Sequence, residues 1–178
     1  MMVSDGHTGK KVVVRRAVSS DLEEYAKNVQ SVADEGSYIL TERVTPERKA
    51  AFRKSFRDMG ALVLVAEVEV RGRKRIVGSL ALGRYGDADK AKHVRVLGMQ
   101  VIKGYREVGI GTKLMDRALE WARKRPDVEK IVLGVFSNNP RALHLYQKFG
   151  FEVEGVRKRH YHIEGEQVDE IDMALFLK

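Results

Sequence analysis

Hydrophobic and polar positions alternate or cluster along the chain in patterns that predict its elements. The segment KKVVVRRA (10–17) is a β-branched run and reads as a strand. It is followed by SSDLEEYAKNVQSVADE, where Ser20 and Glu23 have capping-box spacing at a helix start. Pro46 opens a second helical stretch, PERKAAFRKSF. ALVLVAEVEV (61–70), the turn RGRK and RIVGSLALGRY (75–85) read as a hairpin. HVRVLGMQV (93–101) is another strand, and it leads into the glycine-rich stretch GYREVGIGTKLM (104–115).

The helix after that stretch has the clearest periodicity. Ile110, Leu114, Ala118, Leu119 and Ala122 recur at helical spacing, with Lys113, Asp116, Arg117, Glu120 and Lys124 on the other side. Basic residues 123–125 suit its C-terminal dipole and Pro126 stops it. EKIVLGVF (129–136) is a short apolar strand. NPRALHLYQKFG (139–150) is a helix with Asn139 at the N-cap, Pro140 at the first position and Gly150 just past the end. FEVEGVRKRHYH and EQVDEIDMALFL face each other across IEGE as a closing hairpin. With no repeat and no low-complexity linker, residues 10–178 read as one domain and residues 1–9 as a loose tail.

Composition narrows the chemistry. The 178 residues are 43% hydrophobic and 33% charged, the profile of a soluble globular domain. No apolar run is long enough to span a bilayer, and the first ten residues lack the apolar core of a secretory signal, so the expected compartment is the cytoplasm. The absence of cysteine excludes disulfides, thiolate metal sites and a cysteine nucleophile. An excess of 33 Lys and Arg over 25 Asp and Glu gives a formal charge of +8. A solvated surface accounts for that charge; an anionic ligand or macromolecule is the sharper reading, and a polycationic substrate is disfavoured.

Glycines before a helix suggest an anion at its N-terminus. A Walker A loop fails because Ile110 stands where the lysine should be, and a dinucleotide fingerprint fails because Leu114 stands at the third glycine. What remains is a strand, a turn and free helix amides beside Arg106. An unliganded tight turn would look the same. REVGIG (106–111), however, resembles the Q/R-x-x-G-x-G/A signature of the GCN5-related N-acetyltransferases, the GNAT superfamily. About 30 residues on, Asn139, Ala142, Tyr146, Lys148, Gly150 and Phe151 resemble that family's second cofactor segment. The likeness is specific over about 94–176 and looser over 11–90, and it is greatest to the bacterial and archaeal branch of amino-acid and ribosomal-protein acetyltransferases.

The resemblance implies an α/β (α+β) fold: a mixed, mostly antiparallel sheet of about seven strands, flanked by about four helices, whose central strands 93–101 and 129–136 splay apart. It implies acetyl-CoA as co-substrate, and no metal. The pantetheine would pair with Met99, Gln100 and Val101, and the pyrophosphate would sit on the turn formed by Arg106, Glu107, Val108, Gly109, Ile110, Gly111 and Thr112, where a side chain at 109 or 111 would collide with phosphate. Asn139, Ala142, Tyr146 and Lys148 would complete the cofactor site. Tyr146 would protonate the CoA thiolate after direct attack by a free amine. Plainer readings exist: Asn139 is a good N-cap, Tyr146 a core tyrosine, His160 and His162 ordinary histidines, and RKRHYH a solvated strand face.

The proton acceptor is less legible, because strand 93–101 carries no carboxylate and its His93 lies far from the expected thioester. Family analogy places Glu35 against the substrate amine as the second catalytic residue, with Glu67, Glu69 and Asp87 as alternatives through water. The acceptor groove is expected from residues 30–45 and the 155–168 hairpin. The favoured acceptor is a small-molecule amine or amino acid; a protein N-terminus or lysine comes next. A CoA-binding regulatory module without turnover is the reading from another class, and nucleic-acid binding the least favoured. A homodimer through the closing hairpin and the 36–45 loop is compatible with this fold.

Overall fold

The computed structural model describes residues 11–178, so the expected tail at 1–9 lies outside the described residues. The strands are β1 (Val12–Arg16), β2 (Leu62–Val70), β3 (Arg73–Arg84), β4 (Val94–Val101), β5 (Lys130–Phe136), β6 (Glu152–Ile163) and β7 (Glu166–Phe176). The helices are α1 (Leu22–Ala33), α2 (Pro46–Arg57), α3 (Ile110–Arg123) and α4 (Pro140–Lys148). The strands form one sheet in the order β1-β2-β3-β4-β5-β7-β6. Every pairing is antiparallel except β4 with β5. That parallel pairing runs only from Val94↔Lys130 to Val96↔Val132, after which the two strands part.

Alternation along β2 builds a core on each side of the sheet. Leu62, Leu64, Ala66 and Val68 pack with Leu114, Ala118 and Leu119 of α3. Val63 and Val65 pack with Leu22, Tyr25 and Val29 of α1 and Phe56 of α2. A fully buried Val, Leu, Ile or Phe side chain contributes about 1.5–3 kcal/mol, and α2 docks through one such residue, Phe56. α2 and α4 begin as expected: Thr45 and Asn139 accept hydrogen bonds from the amides of Arg48 and Ala142 at 3.3 and 3.2 Å, each with proline at the first turn.

The start of α1 differs from the capping box expected at Ser20 and Glu23. Residues Ser19–Asp21 form a 3-10 turn, and the Asp21 carboxylate accepts the Val18 amide at 2.8 Å. Asp21 is also gripped by the Arg15 guanidinium at 2.7 and 2.9 Å, which holds its carboxyl below the usual range. Arg15 bonds Glu67 as well, so Glu67 is committed to an ion pair on β2. Arg95 is 1% exposed, on the same face of β4 as Leu97. It donates to the carbonyls of Gly60, Lys92 and Val94 and pairs with Asp127 at 2.7 Å, fixing the end of β4 that stays joined to β5. No helix among the described residues is long and apolar enough to cross a membrane.

Candidate active site

Where β4 and β5 part, a cavity of about 800 Å³ runs through the sheet. One half is bounded by Met99 and Val101 of β4, the glycine turn and the start of α4; the other lies between the sheet and the α1–α2 side. Beyond Val96 the edge of β4 facing β5 has no strand partner, leaving backbone groups open to an extended ligand.

The glycine turn closes the first half. Gly109 has φ of +82° and caps α3, and Glu107 also takes a left-handed φ, +63°. The first intrahelical bond of α3 runs from the Lys113 amide to the Gly109 carbonyl at 3.0 Å, so the amides of Ile110, Gly111 and Thr112 have no helical partner. A Cβ at residue 109 would project into open space, whereas one at Gly111 would come 3.1 Å from Leu145 Cδ2 and 3.7 Å from Met99 Cε. The two glycines therefore serve different ends: Gly109 allows the turn, and Gly111 lets α3 pack on α4 and β4. Arg106, Glu107 and Thr112 line the cavity; Ile110 is 1% exposed in the core, and Val108 packs against that core.

Arg106 is not a loose cation. Its Nε donates to the Val101 carbonyl at 2.7 Å, its two terminal nitrogens clasp the Glu35 carboxylate at 2.7 and 2.5 Å, and its guanidinium stacks over Tyr38. Glu35 thus sits in an ion pair outside the cavity lining, tying the loop after α1 to the glycine turn. Glu67 and Glu69 on β2 and Asp87 are also absent from the lining.

Asn139, Ala142, Tyr146 and Lys148 all line the cavity from α4. Tyr146 is 6% exposed, and burial pushes its phenol up to about 12, so it keeps its proton at neutral pH. Gln100 faces the parting strands with its amide nitrogen buried and without a hydrogen-bond partner among the described residues.

The second half is lined by Tyr25 and Phe52, whose rings meet edge to face at 5.0 Å, by residues 38–41, and by Ser79, Phe136 and Glu170. Arg48 reaches it from α2, near enough to Tyr25 for its charge to oppose the rise that burial imposes on that phenol. The expected 30–45 segment contributes. Residues 155–168 do not line the cavity, although Arg157 and Tyr161 hold Glu170, which does. Sequence reasoning missed Arg48, Gln100's side chain and Glu170; the one available signal for Glu170 was Gly134, an isolated glycine inside an apolar strand. His160 lies 3.8 Å from Glu170, and no cluster of metal-ligating side chains occurs among the described residues.

The model of the acetyltransferase (GNAT) family matches residues 24–151, which spans the glycine turn, the splayed strands and α4. The chain belongs to the GNAT family. Within it, the chain is 34% identical over 85 residues to the L-amino acid N-acetyltransferase AaaT of Escherichia coli K12, covering 48% of this chain and 52% of that protein. It is 32% identical over 78 residues to N-alpha-acetyltransferase 50 of Danio rerio, covering 44% and 46%. The chain thus aligns with about half the length of these curated GNAT relatives. The structure superimposes on yncA of Salmonella typhimurium, solved with its cofactor acetyl-CoA, with a TM-score of 0.82 and 21% identity over 94% of each chain. The two chains share the fold.

Proposed function

We propose that the chain transfers an acetyl group from acetyl-CoA to the primary amine of a small acceptor of the amino-acid class. The parting of β4 and β5 beside Tyr146 carries the transferase reading. The residues fit the cofactor: an unpaired β4 edge, three unbonded helix amides, open space at Gly109 and the orphaned Gln100 amide lie along one cavity. When bound, acetyl-CoA supplies a thioester-activated acetyl group. Residues 99–101 would hold its pantetheine arm, and the 106–112 turn with Asn139, Ala142 and Lys148 would hold the remainder. The chain does the rest. The buried Tyr146 hydroxyl, protonated at neutral pH, would supply a proton to the departing sulfur.

Arg48 supports an acceptor with a carboxylate. Arg48 is exposed at the rim, has no ion-pair partner among the described residues, and lines a half-cavity walled by Tyr25 and Phe52. A planar cation beside an apolar wall suits a molecule with a carboxylate near its amine. The test is acetylation of an amino acid and of its decarboxylated amine, each with wild type and Arg48→Gln. Wild type should prefer the amino acid by about tenfold or more in kcat/KM, as expected for one charge-assisted bond, and Arg48→Gln should erase most of that preference. Equal turnover of the pair by wild type would refute the carboxylated acceptor. Turnover confined to peptides with free N-termini would move the acceptor to a protein N-terminus.

A further inference from the structure

Glu170 is 8% exposed, on β7 opposite Phe136 of β5. All its polar partners converge on one oxygen. Oε2 accepts from Arg157 Nη1 at 2.8 Å and from the Tyr161 hydroxyl at 3.2 Å, and His160 Nε2 stands 3.8 Å away. Oε1 takes none of these bonds and lies over Gly134, where any Cβ would collide with it. Glycine in the middle of β5 therefore makes room for a carboxylate oxygen. Glu170 and Glu107 are the carboxylates that line the cavity, and Glu107 belongs to the glycine turn in the other half.

Arg157 does not belong to Glu170 alone. Arg157 is shared with Asp172, whose Oδ2 lies 3.1 Å from the guanidinium Nε, so one cation serves two carboxylates. The sharing depends on a distortion of β6. Between the pairs Arg157↔Glu170 and Tyr161↔Val168, four steps on β6 oppose two on β7, with Arg159 at φ of +52°. Bulges of this kind re-aim side chains, and here the bulge brings both Arg157 and Tyr161 to one face of Glu170.

We propose that Glu170 receives the acceptor amine, with Oε1 accepting a hydrogen bond from the ammonium and taking its proton. The assignment rests on acetyl transfer to a primary amine and holds for a free amino acid or a peptide N-terminus alike. The balance is direct. The ammonium gives one proton to Oε1, which releases it to solvent. The nitrogen lone pair forms the N–C bond, the C–S bond breaks, and the sulfur is protonated from Tyr146, which regains a proton from the acetylated nitrogen. The net change is an ammonium and a thioester becoming an amide, a thiol and one proton.

The test is Glu170→Gln, which keeps a hydrogen-bonding partner for Tyr161 but removes the charge. Thiol release is followed against pH with a free amino acid and with a short peptide, and acetyl-CoA affinity is measured separately. Ionisable groups facing Glu170 are Arg157, His160 and Tyr161 from β6, with Asp172 behind Arg157; β5 presents only Gly134 and Phe136. A His160→Asn control separates the imidazole from the carboxylate. Glu170→Gln should lower kcat/KM by about 100-fold at neutral pH with acetyl-CoA affinity unchanged, and the deficit should shrink as pH rises through the amine's own pKa. A loss under about threefold, or a deficit constant with pH and matched by weaker acetyl-CoA binding, would overturn the assignment. Glu170→Asp, which withdraws the carboxylate by one methylene, should show the same loss and serves if Glu170→Gln fails to fold; full activity in it would also overturn the assignment. Wild type releasing no thiol with any amine would defeat the transferase reading and this assignment together, whereas normal wild-type release with an unaffected variant defeats this assignment alone.

Discussion

At the scale of the residue, Tyr146 shows how burial sets chemistry. Its phenol lies among apolar neighbours, with the Phe151 ring 5.8 Å away, and is pushed up to about 12 by burial alone. It therefore stays protonated well past neutral pH, and the rise couples the residue to stability. A folded pKa above the unfolded value of about 10 means that its contribution is complete below pH 10 and is lost as pH rises toward 12. Tyr146→Phe should lower kcat by about 100-fold while leaving acetyl-CoA affinity nearly intact, and should remove part of the alkaline loss of stability in urea titrations. Unchanged turnover would return Tyr146 to a packing role. The place of Tyr146 on the cavity wall was legible from its spacing in the family motif. Glu170 was not: in VDEID it reads as one of several acids on a hairpin, and only the β5–β7 register sets it over Gly134.

At the scale of the element, the strand–turn–helix from β4 to α3 joins the two halves of the site. Gly109 is needed for the left-handed turn, so Gly109→Val should cost about 1–2 kcal/mol of backbone strain, visible as a modest fall in Tm. Because its Cβ would enter the cavity side of the turn without meeting protein, the variant should fold yet lose acetyl-CoA binding in calorimetry. Normal affinity would contradict the anion-binding role of the turn. Helix α4 was readable from Asn139, Pro140 and Gly150, all of which act locally. The opening of α1 was not, because Asp21 rather than Ser20 caps the turn, held on the Val18 amide by Arg15 of β1. The Glu35–Arg106 pair was equally hidden: 71 positions separate the partners, and each alone resembled a ligand-facing charge. Their pairing makes the loop after α1 and the glycine turn one mechanical unit.

At the scale of the whole molecule, the sheet order and the parting of β4 and β5 create the cavity; no single element does. Family resemblance made this architecture readable, since the order of strands and helices carries it even where local signals are weak. The second half of the cavity was less readable, because Tyr25, Phe52, Arg48 and Glu170 come together from α1, α2 and β7. The formal +8 charge favours an anionic cofactor and a carboxylated acceptor over a polycation. The most direct test of the account is release of CoA thiol from acetyl-CoA across a panel of amino acids, their decarboxylated amines, polyamines and peptides. The chain contains no cysteine, so a thiol reagent reads only the product. Turnover is expected with amino acids carrying a free α-amine and carboxylate. Binding of CoA with no turnover of any amine would contradict it and leave a binding module in its place.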